Sequence, residues 1–244
     1  MKEEGYCYKM NNIYSLSNID IEKWRKKSNQ IIIPIGSLEQ HGPHLPVSTD
    51  TIIIEHLAKT IAEKIQSLYI PAITFGISFE HEPLFNISLS HTTFSNLIGD
   101  ICVSLAKYGM KNIILLNGHH GNMGSMYYIS QNVSHKIPPN TRLNFINYWN
   151  LMNDFDHAGE IETSLLLAIN TKLVKMKMAR ANTKEINGSK VAYTSLTSTP
   201  GSFPKITGNG VWGDPTKASI IKGRSLLDDL IQKLEQTIIE FQEF

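Results

Sequence analysis

Apolar residues occur along the chain in two alternating patterns. Short, largely β-branched runs predict strands buried on both faces of a sheet, and they cover residues 30–35, 69–75, 111–116 and 143–148. Apolar residues at helical spacing predict helices over residues 49–66, 94–108, 123–133, 161–169 and 216–244. Because strand, polar loop and helix recur in that order, we expect an α/β fold with a mostly parallel sheet flanked by helices.

Composition narrows the class of protein. Hydrophobic residues make up 41% of the 244 residues, and 23 Lys and Arg face 22 Asp and Glu, so the formal net charge is +1. This balance gives no attraction to nucleic acid or to an anionic membrane surface. No apolar run approaches the roughly 18–20 residues of a spanning helix, and the first ten residues lack a signal-peptide pattern. We expect one cytoplasmic domain over residues 1–244.

A first group of candidate metal ligands follows the first predicted strand. Only Cys7 and Cys102 are present, so a metal would have to be held by His and carboxylate side chains. Glu39 and His41 are two residues apart, which places them on one face of extended backbone, and a loop through two prolines can return Asp50 beside them. The alternative is that Asp50 caps a helix and His41 is an ordinary loop histidine.

Two further loops carry the same chemistry. His119 and His120 lie in a glycine-punctuated loop after the strand at 111–116, and His157 precedes Glu160 and Glu162 at a helix start. The alternatives are a glycine-rich turn with incidental histidines and simple helix capping by either Glu. Because ligands bind beyond the carboxyl ends of parallel strands, three such loops at one edge favour a hydrolase with two divalent ions. Such ions activate a water and polarise a carbonyl, with a His or Glu carrying the proton.

Four sequence blocks together resemble the creatininase, or creatinine amidohydrolase, family. They are GSLEQHGPHLPVSTD at 36–50, LNGHHGN at 116–122, HAGEIETS at 157–164 and GVWGDP at 210–215. The resemblance implies a three-layer, sandwich-like α/β fold and two divalent metals per chain. It also implies hydrolysis of a non-peptide C–N bond, in a cyclic amide or a formamide, of a small-molecule substrate. It further implies a closed homo-oligomer such as a hexamer.

The resemblance also implies roles for individual residues. Glu39, Asp50 and His119 would hold one metal, and His41 with a bridging Asp50 would hold the other. His157 matches the catalytic His of the family. Zinc is the first choice of metal, with manganese and iron(II) as alternatives, because His and carboxylate ligands suit all three.

The chain departs from creatininase at three positions. Creatininase has a further Glu ligand where this chain has Gly121, so we expect Glu162 to complete the second metal site or to carry protons. His120 replaces a Tyr, and Asn153 replaces a substrate-facing Trp. These departures point to the branch with an NGHxGN motif, which includes formamide deformylases acting on a pyrimidine nucleotide and peptide-trimming members.

The substrate site and two other functions stay open at this point. We expect His120, Asn153 and His81 to contact substrate, although the loop at 80–82 that contains His81 could equally be solvated. The polar segment at 181–209 is predicted to be a long loop that covers the site or contacts another subunit. The alternatives to a small-molecule amidohydrolase are a metal-dependent peptidase that trims a small peptide and a non-catalytic metal-binding relative.

Overall fold

The centre of the fold is a four-stranded parallel sheet. The computed structural model describes residues 11–182 and 199–243. The strands are β1 (Gln30–Ile35), β2 (Leu68–Tyr69), β3 (Asn112–Asn117) and β4 (Arg142–Asn147), in the order β2-β1-β3-β4. Ile35 pairs with Asn117, and Asn117 pairs with Asn147, so three strands end at the same edge. The predicted parallel α/β sheet is confirmed.

Helices cover both faces of this sheet. They are α1 (Asn18–Lys27), α2 (Thr49–Lys64), α3 (His91–Tyr108), α4 (Met123–Val133), α5 (Glu160–Asn170), α6 (Ser202–Thr207) and α7 (Ile220–Glu243). Alternate side chains of a strand point to opposite faces. Ile32 and Ile114 therefore pack with helices α2, α5 and α7, whereas Ile31 and Ile113 pack with α1, α3 and α4. The result is a three-layer α/β sandwich.

Two elements differ from the sequence prediction. The strand predicted at 69–75 ends at Tyr69: Ile70 still donates its amide to Ile32, but Pro34 of β1 has no amide hydrogen with which to continue the ladder. The chain nevertheless stays beside β1, since Ile73 donates its amide to Pro34. Helix α1 was not predicted because it is mostly polar; its local signal is a capping box formed by Ser17 and Asp20.

The polar segment at 181–209 is only partly described. Residues 183–198 of the predicted loop lie outside the described residues. The segment is not all loop, because α6 lies within it and buries Phe203 completely. Within the two described ranges, no helix has the length and apolarity needed to cross a membrane.

Candidate metal centre

The candidate site lies at the edge where β1 and β3 end. The loop after β1 contributes Glu39 and His41, the first turn of α2 contributes Asp50, and the loop after β3 contributes His119. All four side chains are buried. The capping alternative for Asp50 is wrong, because the N-cap residue of α2 is Ser48 and the carboxylate of Asp50 instead accepts from His41 Nε2 at 3.0 Å. Three separate segments thus bring their polar side chains to one point.

Asp50 lies at the centre of the first ligand group. Its Oδ1 is 3.0 Å from His41 Nε2 and its Oδ2 is 3.0 Å from His119 Nδ1. Glu39 Oε2 lies 3.2 Å from His119 Nε2. One ligand atom each from Glu39, Asp50 and His119 lies within 4.8 Å of the others. His119 is oriented by the carbonyl oxygen of Ile77, 2.8 Å from its Nε2.

A second ligand group consists of His41, His157 and Glu162, again within 4.8 Å of one another. Glu162 Oε2 lies 3.6 Å from His41 Nε2 and accepts a hydrogen bond from the amide of Ala158 at 2.6 Å. The start of α5 is capped by Asp156, which accepts from two of its first amides. Glu162 therefore does not serve as the cap, and its carboxylate faces the centre.

A third group brings in a residue that the sequence placed among substrate contacts. His81, in the short 3-10 helix Phe79–His81, lies 3.1 Å from Glu39 Oε1 and forms a group with Glu39 and His157. Glu80 beside it is also buried, 3.8 Å from His119 Nε2. Glu80 was predicted only as part of the loop at 80–82; its signal was its position directly before His81.

Two expected substrate contacts lie apart from these ligand groups. His120 is partly buried, and its ring packs near Trp149 and Phe155 at centroid distances of 5.7 and 6.4 Å. Asn153 is exposed and lines a cleft of about 470 Å³ with Phe155, Asp156 and other residues. Asp156 immediately precedes His157 in the chain, but none of the residues of the ligand groups lines this cleft.

Burial and mutual charge shift the pKa values of the clustered groups. Burial alone would lower the pKa of His41, but Asp50 and other carboxylates raise it to about 10. Burial would likewise lower the pKa of His119, but the carboxylates of Glu39 and Asp50 raise it to about 10. Burial would raise the pKa of Asp50, but the two imidazoles hold it below its usual value. For Glu162, burial dominates and raises the pKa to about 8.

The donor atoms fit divalent cations. Glu39 Oε1 and Asp50 Oδ2 are buried and accept no hydrogen bond, although imidazole nitrogens lie 3.1 and 3.0 Å away. Buried carboxylate oxygens without hydrogen bonds are costly, so a cation that uses their lone pairs would stabilise them. Imidazole and carboxylate together are ligands for zinc, manganese and iron(II). The chemistry of the donor set therefore suits the expected metals.

The structure leaves no room for a side chain at Gly121, beside His119. A Cβ at this position would overlap the carbonyl oxygen of Ile77, and it would lie 2.6 Å from His119 Nε2 and 2.9 Å from Glu80 Oε1. The space that a larger residue would need is thus filled by a backbone oxygen and a second carboxylate.

Comparison with known proteins gives consistent matches. The family model of creatininase, described as creatinine amidohydrolase, matches residues 15–238. The chain is 29% identical over 222 residues to the mycofactocin precursor peptide peptidase of Mycobacterium tuberculosis, covering 85% of each chain. It is 26% identical over 175 residues to the creatinine amidohydrolase of Pseudomonas putida, covering 60% of this chain and 66% of that protein.

Solved structures of creatininase share the fold. A manganese form superposes with a TM-score of 0.80 and a Zn–Zn form of a variant with 0.79, both at 22% identity. Each comparison covers 94% of this chain and 97% of the other.

Proposed function

The chain belongs to the creatininase family of carbon–nitrogen hydrolases, and we propose that it is a metal-dependent amidohydrolase acting on a small molecule. The bond cleaved would be a non-peptide C–N bond, in a cyclic amide or a formamide. The observation that carries the proposal is the group of buried carboxylates and imidazoles around Asp50, whose two oxygens each lie 3.0 Å from a different histidine.

The ligand groups suggest how two cations would be held. Glu39, Asp50 and His119 would hold one, and His41 and Glu162 would hold the other with Asp50 as the bridge. Zinc is our first choice, followed by manganese and iron(II); creatininase structures in manganese and Zn–Zn forms support the first two. Two bound divalent cations supply an activated water and polarise the amide carbonyl.

His157 is placed to handle the proton. Its ring packs at a tilt against His41 with centroids 4.2 Å apart, and its Nδ1 lies 3.8 Å from Glu39 Oε1. From this position it can accept a proton from the attacking water and return it to the leaving nitrogen. Phe203 packs against the rings of His157 and His81 at 4.8 and 4.7 Å and is fully buried, so it excludes water from that side. Glu162 is the second candidate proton carrier.

The cleft lined by Asn153 and Trp212 is our proposed substrate entrance, because Trp212 is paired with His157 through backbone hydrogen bonds. Its walls include Asn153, Phe155 and Trp212, so it carries aromatic surface but has Asn at the place of the Trp expected for creatinine. His81 and His120 stay our proposed further substrate contacts. This lining favours a substrate other than creatinine.

A peptide substrate is the second candidate function. The 29% identity with a peptide peptidase over 85% of each chain favours it. A cleft of about 470 Å³ also has room for more than a single small ring. Either substrate would use the same buried ligands.

Metal content and substrate cleavage should be measured together. We expect about two metals per chain, and cleavage of one member of a panel of creatinine, a formamidopyrimidine nucleotide and a short peptide, abolished by a chelator. Glu39→Gln should lower metal affinity and cleavage. The matched control is Glu82→Gln, the same substitution at an exposed residue outside the ligand groups, and it should change neither.

Each other outcome has a definite meaning. Cleavage of the peptide alone would select the second candidate. Two metals without cleavage would support the non-catalytic alternative, and no uptake of zinc, manganese or iron(II) would contradict the proposed ligand set. The homo-oligomer, the single domain and the cytoplasmic location stay predictions that this experiment leaves aside.

A further inference from the structure

The side-chain amide of Gln40 sits between the rings of His81 and His157, and its orientation is set by the backbone. Oε1 accepts from the amide of Gly42 at 2.9 Å, and Nε2 donates to the carbonyl oxygen of Gly210 at 3.0 Å. A backbone amide can only donate and a backbone carbonyl can only accept. The amide of Gln40 therefore cannot be reversed without losing both bonds.

This orientation determines the tautomer of His81. Gln40 Nε2 can donate hydrogen bonds but cannot accept one, and it lies 2.8 Å from His81 Nδ1. That ring nitrogen must therefore accept, which puts the ring hydrogen of neutral His81 on Nε2. His81 Nε2 is the atom 3.1 Å from Glu39 Oε1, so an N–H lies beside this oxygen, although the contact does not have the geometry of a hydrogen bond.

The backbone carbonyl of the same residue determines the tautomer of His157. The two hydrogens of Gln40 Nε2 are already directed to Gly210 and His81, although His157 Nε2 lies 3.2 Å away. His157 Nε2 is also 3.1 Å from the backbone carbonyl oxygen of Gln40, which needs a donor. The consistent arrangement places the hydrogen of His157 on Nε2. Its Nδ1 is then bare, on the side of Glu39.

Two residues of the GVWGDP block at 210–215 hold Gln40 and His157 in this arrangement. A Cβ at Gly210, whose φ is +75°, would overlap Gln40 Oε1, so only glycine leaves room for the amide. Two residues later, Trp212 pairs with His157 through two backbone hydrogen bonds of 2.8 and 3.1 Å. The block therefore positions both Gln40 and His157.

We propose that Gln40 is a positioning residue that gives His157 and His81 opposite roles. His157 presents a bare nitrogen to the centre, and His81 presents an N–H. Because neither nitrogen of His81 then has a free lone pair, the group of Glu39, His81 and His157 holds no cation. The statement that this group holds no cation rests on the proposed function, whereas the assignment of the two tautomers does not.

Nitrogen NMR of the ¹⁵N-histidine-labelled full chain tests the proposal. Long-range ¹H–¹⁵N spectra distinguish the two neutral tautomers of each ring. We expect both His81 and His157 as Nε2–H tautomers, with His81 unchanged when zinc is added. In Gln40→Met, which keeps the length but has no N–H, His81 should become a mixture of tautomers. His157 should stay Nε2–H, because the backbone carbonyl of residue 40 remains. Gln131→Met, on an exposed face of α4, is the matched control.

Activity and metal content give a separate readout. Gln40→Met should lower kcat about 10–100-fold with a smaller change in KM and no loss of metal, and Gln40→Glu, which has the shape but not the N–H groups, should not restore it. An Nδ1–H tautomer for wild-type His81, or loss of its Nε2 hydrogen on zinc addition, would overturn the proposal. The wild-type spectra decide this even if Gln40→Met does not fold. Absent cleavage with the expected tautomers would refute the proposed function alone.

Discussion

Replacing Gly121 by Ala tests whether close packing beside His119 maintains the metal centre. The added Cβ would overlap the Ile77 carbonyl oxygen and lie 2.6 Å from His119 Nε2. These two atoms are themselves joined by a 2.8 Å contact that orients the imidazole. A backbone oxygen cannot swing aside as a flexible side chain can, so the imidazole or the loop at residue 77 must move.

The expected magnitude follows from a comparison with Gly124→Ala. Gly124 lies three residues further on, at the start of α4, and a Cβ there would meet nothing within 4 Å. Both substitutions reduce the entropy of the unfolded chain, which stabilises by about 0.4–1 kcal/mol. Only Gly121→Ala adds an overpacking cost of about 1–3 kcal/mol. The two variants should therefore differ by about that cost, or about 2–4 °C in Tm per kcal/mol.

Urea unfolding of the metal-free variants and zinc titration of the folded ones supply the measurements. We expect Gly121→Ala to be the less stable variant and to bind zinc about 10–100-fold more weakly than wild type, because His119 loses its orienting contact. Gly124→Ala should bind zinc normally. Equal stability and equal zinc affinity for the two variants would show that the space at residue 121 is not closed, and the reasoning would be refuted.

Three further predictions concern the ligands, the helix packing and the pH dependence. Asp50→Ala should lose metal and activity together, whereas His157→Ala should lose turnover and keep its metal; elemental analysis beside an activity assay checks both. Gly223→Ala in α7 should lower the free energy of unfolding by about 1–3 kcal/mol in urea, because its Cβ would overlap the carbonyl oxygen of Ser164. Burial and the imidazolium of His41 lower the pKa of His44 from 6.5 to about 4. As the pH falls from 6.5 to about 4, the unfolded chain therefore binds this proton before the folded chain does. Stability should fall as pH falls through that window, and less so in His44→Gln; an equal fall would contradict the assignment.

Local sequence patterns predicted most of the strands and helices that form the three layers. The run Gln30–Ile35 is a strand with those bounds, and Met123–Val133 is a helix with those bounds. Such elements are readable because their apolar residues face a core on one side or on both. The pattern failed at residues 70–75, where Pro34 of the neighbouring strand has no amide hydrogen to donate, and at α1, where one buried Trp24 leaves no apolar stripe.

The candidate site was predictable where a side chain stands in a distinctive local motif. Glu39, His41 and Asp50 occur in one block, and the structure brings them together. Gln40 stands in the same block but was not singled out, because an amide between a carboxylate and an imidazole has no chemistry of its own until its partners are known. Glu80 was overlooked for a related reason: a Glu in a polar loop reads as solvated unless its burial is known.

The sequence by itself determined the chemical inventory and the order of the elements. Strand periodicity, helix periodicity and the His and carboxylate blocks are properties of neighbouring residues, so they can be read along the chain. Only the tertiary structure decided which of these groups meet. The parallel register brings the ends of β1 and β3 together, and residues as distant as Gln40 and Gly210 become hydrogen-bond partners. The roles of His81 and His157 depend on such long-range contacts, because a ring nitrogen donates or accepts according to the atom that faces it.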